Sequence, residues 1–180
     1  MTMPNSPPSL ADFLALLGTE TIPAAMERRS AAQPDHVYCW FDGEPWSYGR
    51  VNAEANRLAR TLLQRGLKPG DRVALMLPSH PDHVIAVAAL MKAGLVRIPI
   101  NTHYKGPSLA QVFDQFRPHG LLVHEAYRTQ LEPILQGAQC PGFVVWHSTE
   151  SGFDAVSGGH GALSPLRQTA PDTILAFTPS

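Results

Sequence analysis

The stretch over residues 66–101, GLKPGDRVALMLPSHPDHVIAVAALMKAGLVRIPIN, constrains the fold more than any other part of the chain. It reads as strand, helix and strand in about thirty residues, the length of one βαβ unit. Residues 72–77 (RVALML) are nearly all apolar and stop at Pro78, the pattern of a parallel strand buried on both faces. Ser79 is read as the cap of a helix that opens at Pro81, where the missing N–H costs little. That helix carries Val84, Val87, Ala88 and Met91 on one stripe, with Ile85 and Ala89 beside it. Gly94 stands where a left-handed residue ends a helix, and residues 96–100 open the next strand. Such crossovers are right-handed almost without exception. The expectation is therefore an α/β domain, a doubly wound and mostly parallel sheet flanked by helices.

Around this unit the chain alternates. Residues 1–8 are rich in proline and serine and are expected to be disordered. Ser9 precedes a helix bearing Leu10, Phe13, Leu14 and Leu17, and a second helix opens at Thr21 with Pro23 in its first turn. Residues 36–41 (HVYCWF) form a strand, and Asp42-Gly43 signals a hairpin returning to Trp46. Ser47 caps a helix with Val51, Ala55, Leu58, Ala59 and Leu62 inward, leaving Asn52, Asn56, Arg60 and Gln64 on a wet face. After Asn101 come a short helix with Leu109, Val112, Phe113 and Phe116, a strand at 120–123, a helix at 125–135 and a strand at 142–146. Residues 147–171 turn to Ser, Gly, Pro and Thr and read as a flexible loop. A last strand covers 172–177 before Thr178-Pro179-Ser180. No helix follows to cover the sheet there, so one face is expected to be bare and the chain to be the front part of something longer.

Several function classes are disfavoured. Fourteen Lys+Arg against fifteen Asp+Glu give a net charge of −1, so no basic field draws the chain to nucleic acid or anionic lipid. No apolar run approaches a membrane span, the first nine residues have no signal-peptide pattern, and a cytoplasmic location is expected. Cys39 and Cys140 stand far apart without metal-ligand spacing. Cys39, mid-strand and without an identifiable base, is read as a packing residue rather than a nucleophile. His80 and His83 flank Asp82 at a helix start and are read as exposed or capping residues, with no metal site assigned. The cluster Gly158-Gly159-His160-Gly161 lacks phosphate-loop spacing and reads as linker. In an open α/β sheet ligands bind beyond the carboxyl ends of the strands. That places His103 and Tyr104, just after the strand at 96–100, as candidate substrate-side contacts.

Ser47-Tyr48, then Asn52, Asn56, Leu58 and Ala59, then RGLKPGDRVALMLPSHPDHV, KAGLVRIPINTHYKGPSL and PDTILAFTPS occur in one order and spacing. Together they resemble the amino-terminal region of the AMP-forming acyl-CoA synthetases, the adenylate-forming enzymes that include firefly luciferase and peptide-synthetase adenylation domains. The resemblance runs over about residues 20–180. The NT-x-x-KG spacing from Asn101 to Gly106 looks most like the carnitine/crotonobetaine-CoA ligase branch. PDTILAFTPS is similar to the strand that enters the family's phosphate loop, although Pro179 departs from the usual pattern.

The resemblance implies an acid–thiol ligase. A carboxylate attacks the α-phosphate of ATP to give an acyl-adenylate and pyrophosphate, and CoA then displaces AMP. It implies ATP, Mg²⁺ and CoA for the parent enzyme and none for this chain alone, because the residues that grip ATP lie downstream in the family. Thr178 and Ser180 would be the first hydroxyls of the phosphate loop, and no catalytic residue is assigned within the chain. Residues 9–180 are thus expected to be a truncated AMP-binding domain, inactive alone. The alternative is a non-catalytic, ligase-like binding or regulatory module. An independent small nucleotide-binding protein is the third reading.

Overall fold

A computed structural model describes residues 20–138 and 140–153. The helix expected from residue 10, the glycine cluster, the strand at 172–177, and Thr178 and Ser180 lie outside the described residues. The elements are α1 (Ile22–Ala32), β1 (Val37–Phe41), β2 (Glu44–Ser47), α2 (Tyr48–Gln64), β3 (Arg72–Met76), α3 (Pro81–Ala93), β4 (Val96–Pro99), α4 (Gly106–Phe116), β5 (Gly120–His124), α5 (Arg128–Leu135) and β6 (Phe143–His147).

Local chemistry sets most of the boundaries. The Thr21 hydroxyl accepts from the Ala24 amide at 3.3 Å and Ser47 from Arg50 at 3.2 Å, so both N-caps fall where the hydroxyls predict. Asp42 and Gly43, with φ of 49° and 82°, make the two-residue turn that pairs Phe41 with Glu44. The cap of α3 differs from expectation. Its first helical residue is Pro81, so the capping position belongs to His80, which is extended and accepts the Asp82 amide on ring Nδ1 at 3.2 Å. Ser79 lies one residue too early. Gly94 closes α3 in the left-handed region at φ 69°, as expected of a C-terminal glycine.

Four strands form a parallel sheet in the order β4-β3-β5-β6. The chain leaves β3 towards one side and β5 towards the other, so the order reverses between them. This is the switch point of a doubly wound fold. Alternation sorts the strand residues into two cores. Val73, Leu75, Leu122 and Val145 meet α2 and α3 through Leu58, Leu62, Ile85 and Ala89. Ala74, Met76, Leu121 and Val123 meet α4 and α5 through Leu109, Val112, Phe113 and Leu131. Both faces of the described sheet carry helices, and the bare face expected beside the strand at 172–177 lies outside the described residues.

Two helix faces also differ from the sequence reading. Asn52 and Asn56, assigned to a wet face, are buried at 8% and 2% exposure, because α1 lies across α2 and its Glu27 takes the Asn52 side-chain amide at 3.0 Å. In α3 the deepest residues are Ile85, Ala86, Ala89, Leu90, Lys92 and Ala93, while Val84, Val87 and Met91 are half-buried. A helix wedged between a sheet and another helix buries most of its circumference, so a single stripe does not identify its core face.

Candidate functional site

The carboxyl ends of the sheet strands collect imidazoles. His124 ends β5 and His147 ends β6, and the two are register partners. Both continue the alternating series, Leu122 and Val145, that faces α3. The first turn of α3 meets them there. Asp82 Oδ2 lies 2.7 Å from His147 Nε2 and 3.1 Å from His80 Nδ1. The His147 ring centroid is 5.6 Å from that of His80 and 5.3 Å from that of His124. His147 is 1% exposed and Asp82 8%. Two crossings of the same rim, β3 into α3 and the end of β6, therefore place two histidines against one carboxylate, with β5 and its His124 between them.

The surroundings hold this cluster in place. The hairpin sets Phe41 edge-on to His80 at 4.9 Å, with Trp46 at 6.4 Å. Beyond β6 the chain turns back: the Gly152 amide donates to Ser148 O at 2.8 Å, and Phe153 packs on the His147 ring at 4.9 Å. Gly152 has φ 54°, and a Cβ there would stand 3.0 Å from Asp82 Oδ2. A side chain there would crowd the carboxylate, and the positive φ favours glycine. Gly152→Ala is expected to destabilise the fold by about 1–2 kcal/mol through left-handed backbone strain alone, measured by urea unfolding, and an unchanged midpoint would refute the left-handed conformation. A cleft of about 210 Å³ opens beside the cluster, lined by Trp46, Arg50, Glu54, Thr149 and Glu150 as well as His80 and Asp82. Arg50 stacks on Trp46 at 3.6 Å and Glu54 pairs with Arg57. His124 accepts or donates at Thr149 Oγ1 over 3.1 Å. Burial holds the His124 imidazole below its ordinary pKa, and the neighbouring His147 and His80 add to that. His83 is also held down, first by burial and then by Arg97, against hydrogen bonds with the Leu77 and Pro78 backbone.

The residues singled out in the sequence divide. His80 joins the cluster and caps α3, whereas His83 does not join it. His103 is exposed and takes Asn101 Oδ1 at 3.0 Å through its backbone amide and 3.1 Å through its ring. Tyr104 packs at the edge of the second core. Both follow β4, on the same rim but beyond β3, and the structure does not bring them to the cluster. Cys39 is half-buried on β1. Sequence reasoning missed His124 and His147. The signal was present, since each is the residue that ends or directly follows an expected parallel strand. His147 had been assigned to the loop at 147–171 but belongs to β6.

An open parallel sheet with side chains converging at its switch point defines an α/β domain of the ligand-binding class. Residues 26–174 match the family model described as AMP-binding enzyme, and the chain belongs to that family of adenylate-forming enzymes. Novobiocin biosynthesis protein H of Streptomyces niveus is 40% identical over 98 residues, 54% of this chain and 16% of that protein. The medium/long-chain-fatty-acid–CoA ligase FadD6 of Mycobacterium tuberculosis is 37% identical over 90 residues, 50% of this chain and 15% of that protein. A probable non-canonical nonribosomal peptide synthetase of Salinispora arenicola, CymA, is 35% identical over 124 residues, 65% of this chain and 2% of that protein. Among solved structures, the anthranilate CoA ligase AuaEII in complex with anthranoyl-AMP superposes with a TM-score of 0.78 at 19% identity, over 86% of this chain and 31% of that one. The N-terminal domain of FACL13 from Mycobacterium tuberculosis gives 0.76 at 23%, over 88% of this chain and 41% of that one. At these identities the likeness to solved structures shows the fold. The chain spans only 2–16% of the length of the curated relatives named.

A nucleotide triphosphate needs a row of backbone N–H groups or cations at such a rim. Among the described residues no glycine-rich loop follows a rim strand, so they do not by themselves fit the phosphates of ATP. No helix among them is long and apolar enough to cross a membrane.

Proposed function

We propose that this chain is the amino-terminal portion of an ATP-dependent acid–CoA ligase, and that it is inactive on its own. In that chemistry a carboxylate oxygen attacks the α-phosphorus of ATP and pyrophosphate leaves; the sulfur of CoA then attacks the acyl carbon and AMP leaves. Mg²⁺ supplies charge neutralisation at the phosphates in chemistry of this kind. The supporting observation is the family match over residues 26–174, carried on a sheet whose rim lacks its phosphate cradle among the described residues. Thr178 and Ser180 are proposed as the first hydroxyls of that cradle, and His103 and Tyr104 as contacts on the substrate side. The proposed acid is a small or medium organic one, with the NT-x-x-KG spacing favouring the carnitine/crotonobetaine-CoA branch. A cytoplasmic location is part of the same reading.

A second reading, a ligase-like module that binds or regulates without chemistry, draws support from the double-sided core, which equips the chain to fold alone. ATP–pyrophosphate exchange by a longer product separates the readings. The 180-residue chain is expected to stay at the blank level with any of a panel of carboxylic acids; exchange above blank would refute its inactivity. The reading frame after the Ser180 codon is expected to continue through Gly-Thr-Thr-Gly and Pro-Lys-Gly, and its longer product to exchange. A stop codon there, with a stable chain, favours the second reading.

A further inference from the structure

We propose that His80, Asp82 and His147 form a site for a borderline divalent transition metal, Zn²⁺ or Co²⁺, that ties the end of β6 to the start of α3. One ligand atom from each lies within 4.8 Å of the other two. The hydrogen bonds alone do not account for this arrangement. His80 Nδ1, whose one lone pair accepts the Asp82 amide at 3.2 Å, stands 3.1 Å from the Asp82 carboxylate oxygen, and a metal ion would take that lone pair from the capping bond. A positive charge belongs between them: a proton there satisfies this pair alone, whereas a metal ion would bind all three groups. The same oxygen faces His147 Nε2 at 2.7 Å, while His147 Nδ1 is buried with no hydrogen-bond partner.

The spacing suits one ion. Ligand atoms with bonds of about 2.0–2.2 Å to a common tetrahedral metal stand roughly 3.3–3.6 Å apart, so the two close contacts need to open by less than an ångström. Two imidazoles and one carboxylate select a borderline metal over Mg²⁺ or Ca²⁺, which prefer all-oxygen shells. Three protein ligands leave a fourth position for water, and His80 and Asp82 line the adjoining cleft. The partial positive charge at the α3 N-terminus opposes a cation there. Asp82 supplies the full negative charge that outweighs it, which makes the carboxylate the indispensable member. Neither His83 nor His103 belongs to the set, although His83 lies nearer in sequence than His147.

The test is titration of the metal-free 180-residue chain with Co²⁺, read by visible absorption, followed by Zn²⁺. A saturable band at a single equivalent is expected, bleached by Zn²⁺ and untouched by excess Mg²⁺, with Zn²⁺ raising the melting temperature. Asp82→Asn, nearly isosteric, should weaken binding at least about 100-fold, the upper end of what loss of a mere outer-shell partner causes. His147→Gln should do the same, and His83→Gln and His103→Gln should leave binding unchanged. Absence of the band in the parent chain, its survival in Asp82→Asn, or its loss in His83→Gln would each overturn the site. Pyrophosphate exchange reads the ligase assignment independently, so failure of one leaves the other standing.

Discussion

Glu27→Gln is expected to lower the unfolding free energy by roughly 3 kcal/mol, because it leaves a buried charge unpaired, whereas Lys92→Met at the other end of the same ion pair leaves a partly solvated carboxylate and is expected to cost less. Lys92 is 1% exposed, on the buried side of α3, and its ammonium pairs with Glu27 on α1. The other Glu27 oxygen takes the Asn52 amide from α2 at 3.0 Å. One carboxylate therefore ties three helices together. Removing its charge strands a cation in the first core, while removing the cation lets a similar volume of apolar chain fill the space. Burial already holds the Lys92 ammonium below its ordinary 10.5, with Glu27 opposing that shift. Between the lowered value and 10.5 the unfolded chain carries a proton that the folded one has lost, so this group makes stability rise with pH across that window. Lys92→Met should flatten that rise, and Glu27→Gln should widen the window downward. Urea unfolding at neutral and alkaline pH reads both effects. A Glu27→Gln chain within about 0.5 kcal/mol of the parent, the range of ordinary surface changes, would show that the ammonium finds another anion.

What the sequence made legible follows from the range of the physics involved. Caps, turns and strands depend on neighbours a few residues away, and Thr21, Ser47, Asp42-Gly43 and Gly94 act where their local chemistry puts them. The βαβ unit over residues 66–101 was readable because a continuous apolar strand and a capped helix are local patterns too. Asn52 and Asn56 were not, since only the arrival of α1, through a residue 25 positions away, turns a polar stripe inward. The His80–Asp82–His147 cluster failed for the same reason. Asp82 and His147 are 65 residues apart, and although its place at a strand end puts His147 on the rim, nothing local says which carboxylate it meets there. Only the sheet order, which brings β3, β5 and β6 side by side, makes them neighbours.

Phe113→Ala is expected to cost about 3–5 kcal/mol, the range for truncating a fully buried aromatic. The effect decides whether the sheet has one core or two. Phe113 is 0% exposed on α4 and belongs to the cluster formed with Ala74, Met76, Ile98, Leu121 and Val123. A sheet with this face uncovered predicts instead a loss of about 1 kcal/mol, because a half-solvated ring gives up about half of the ~1.5–3 kcal/mol of full burial. Trp40→Ser is the control, since Trp40 is 67% exposed and its change should stay within about 0.5 kcal/mol. The comparison also bears on the site. β3 and β5 flank the switch point, and their inward residues on this face are what α4 and α5 hold in register. If Phe113→Ala proves as mild as Trp40→Ser, α4 does not support those strands from below. The positions of His80 and His124 at the rim would then depend on the first core alone.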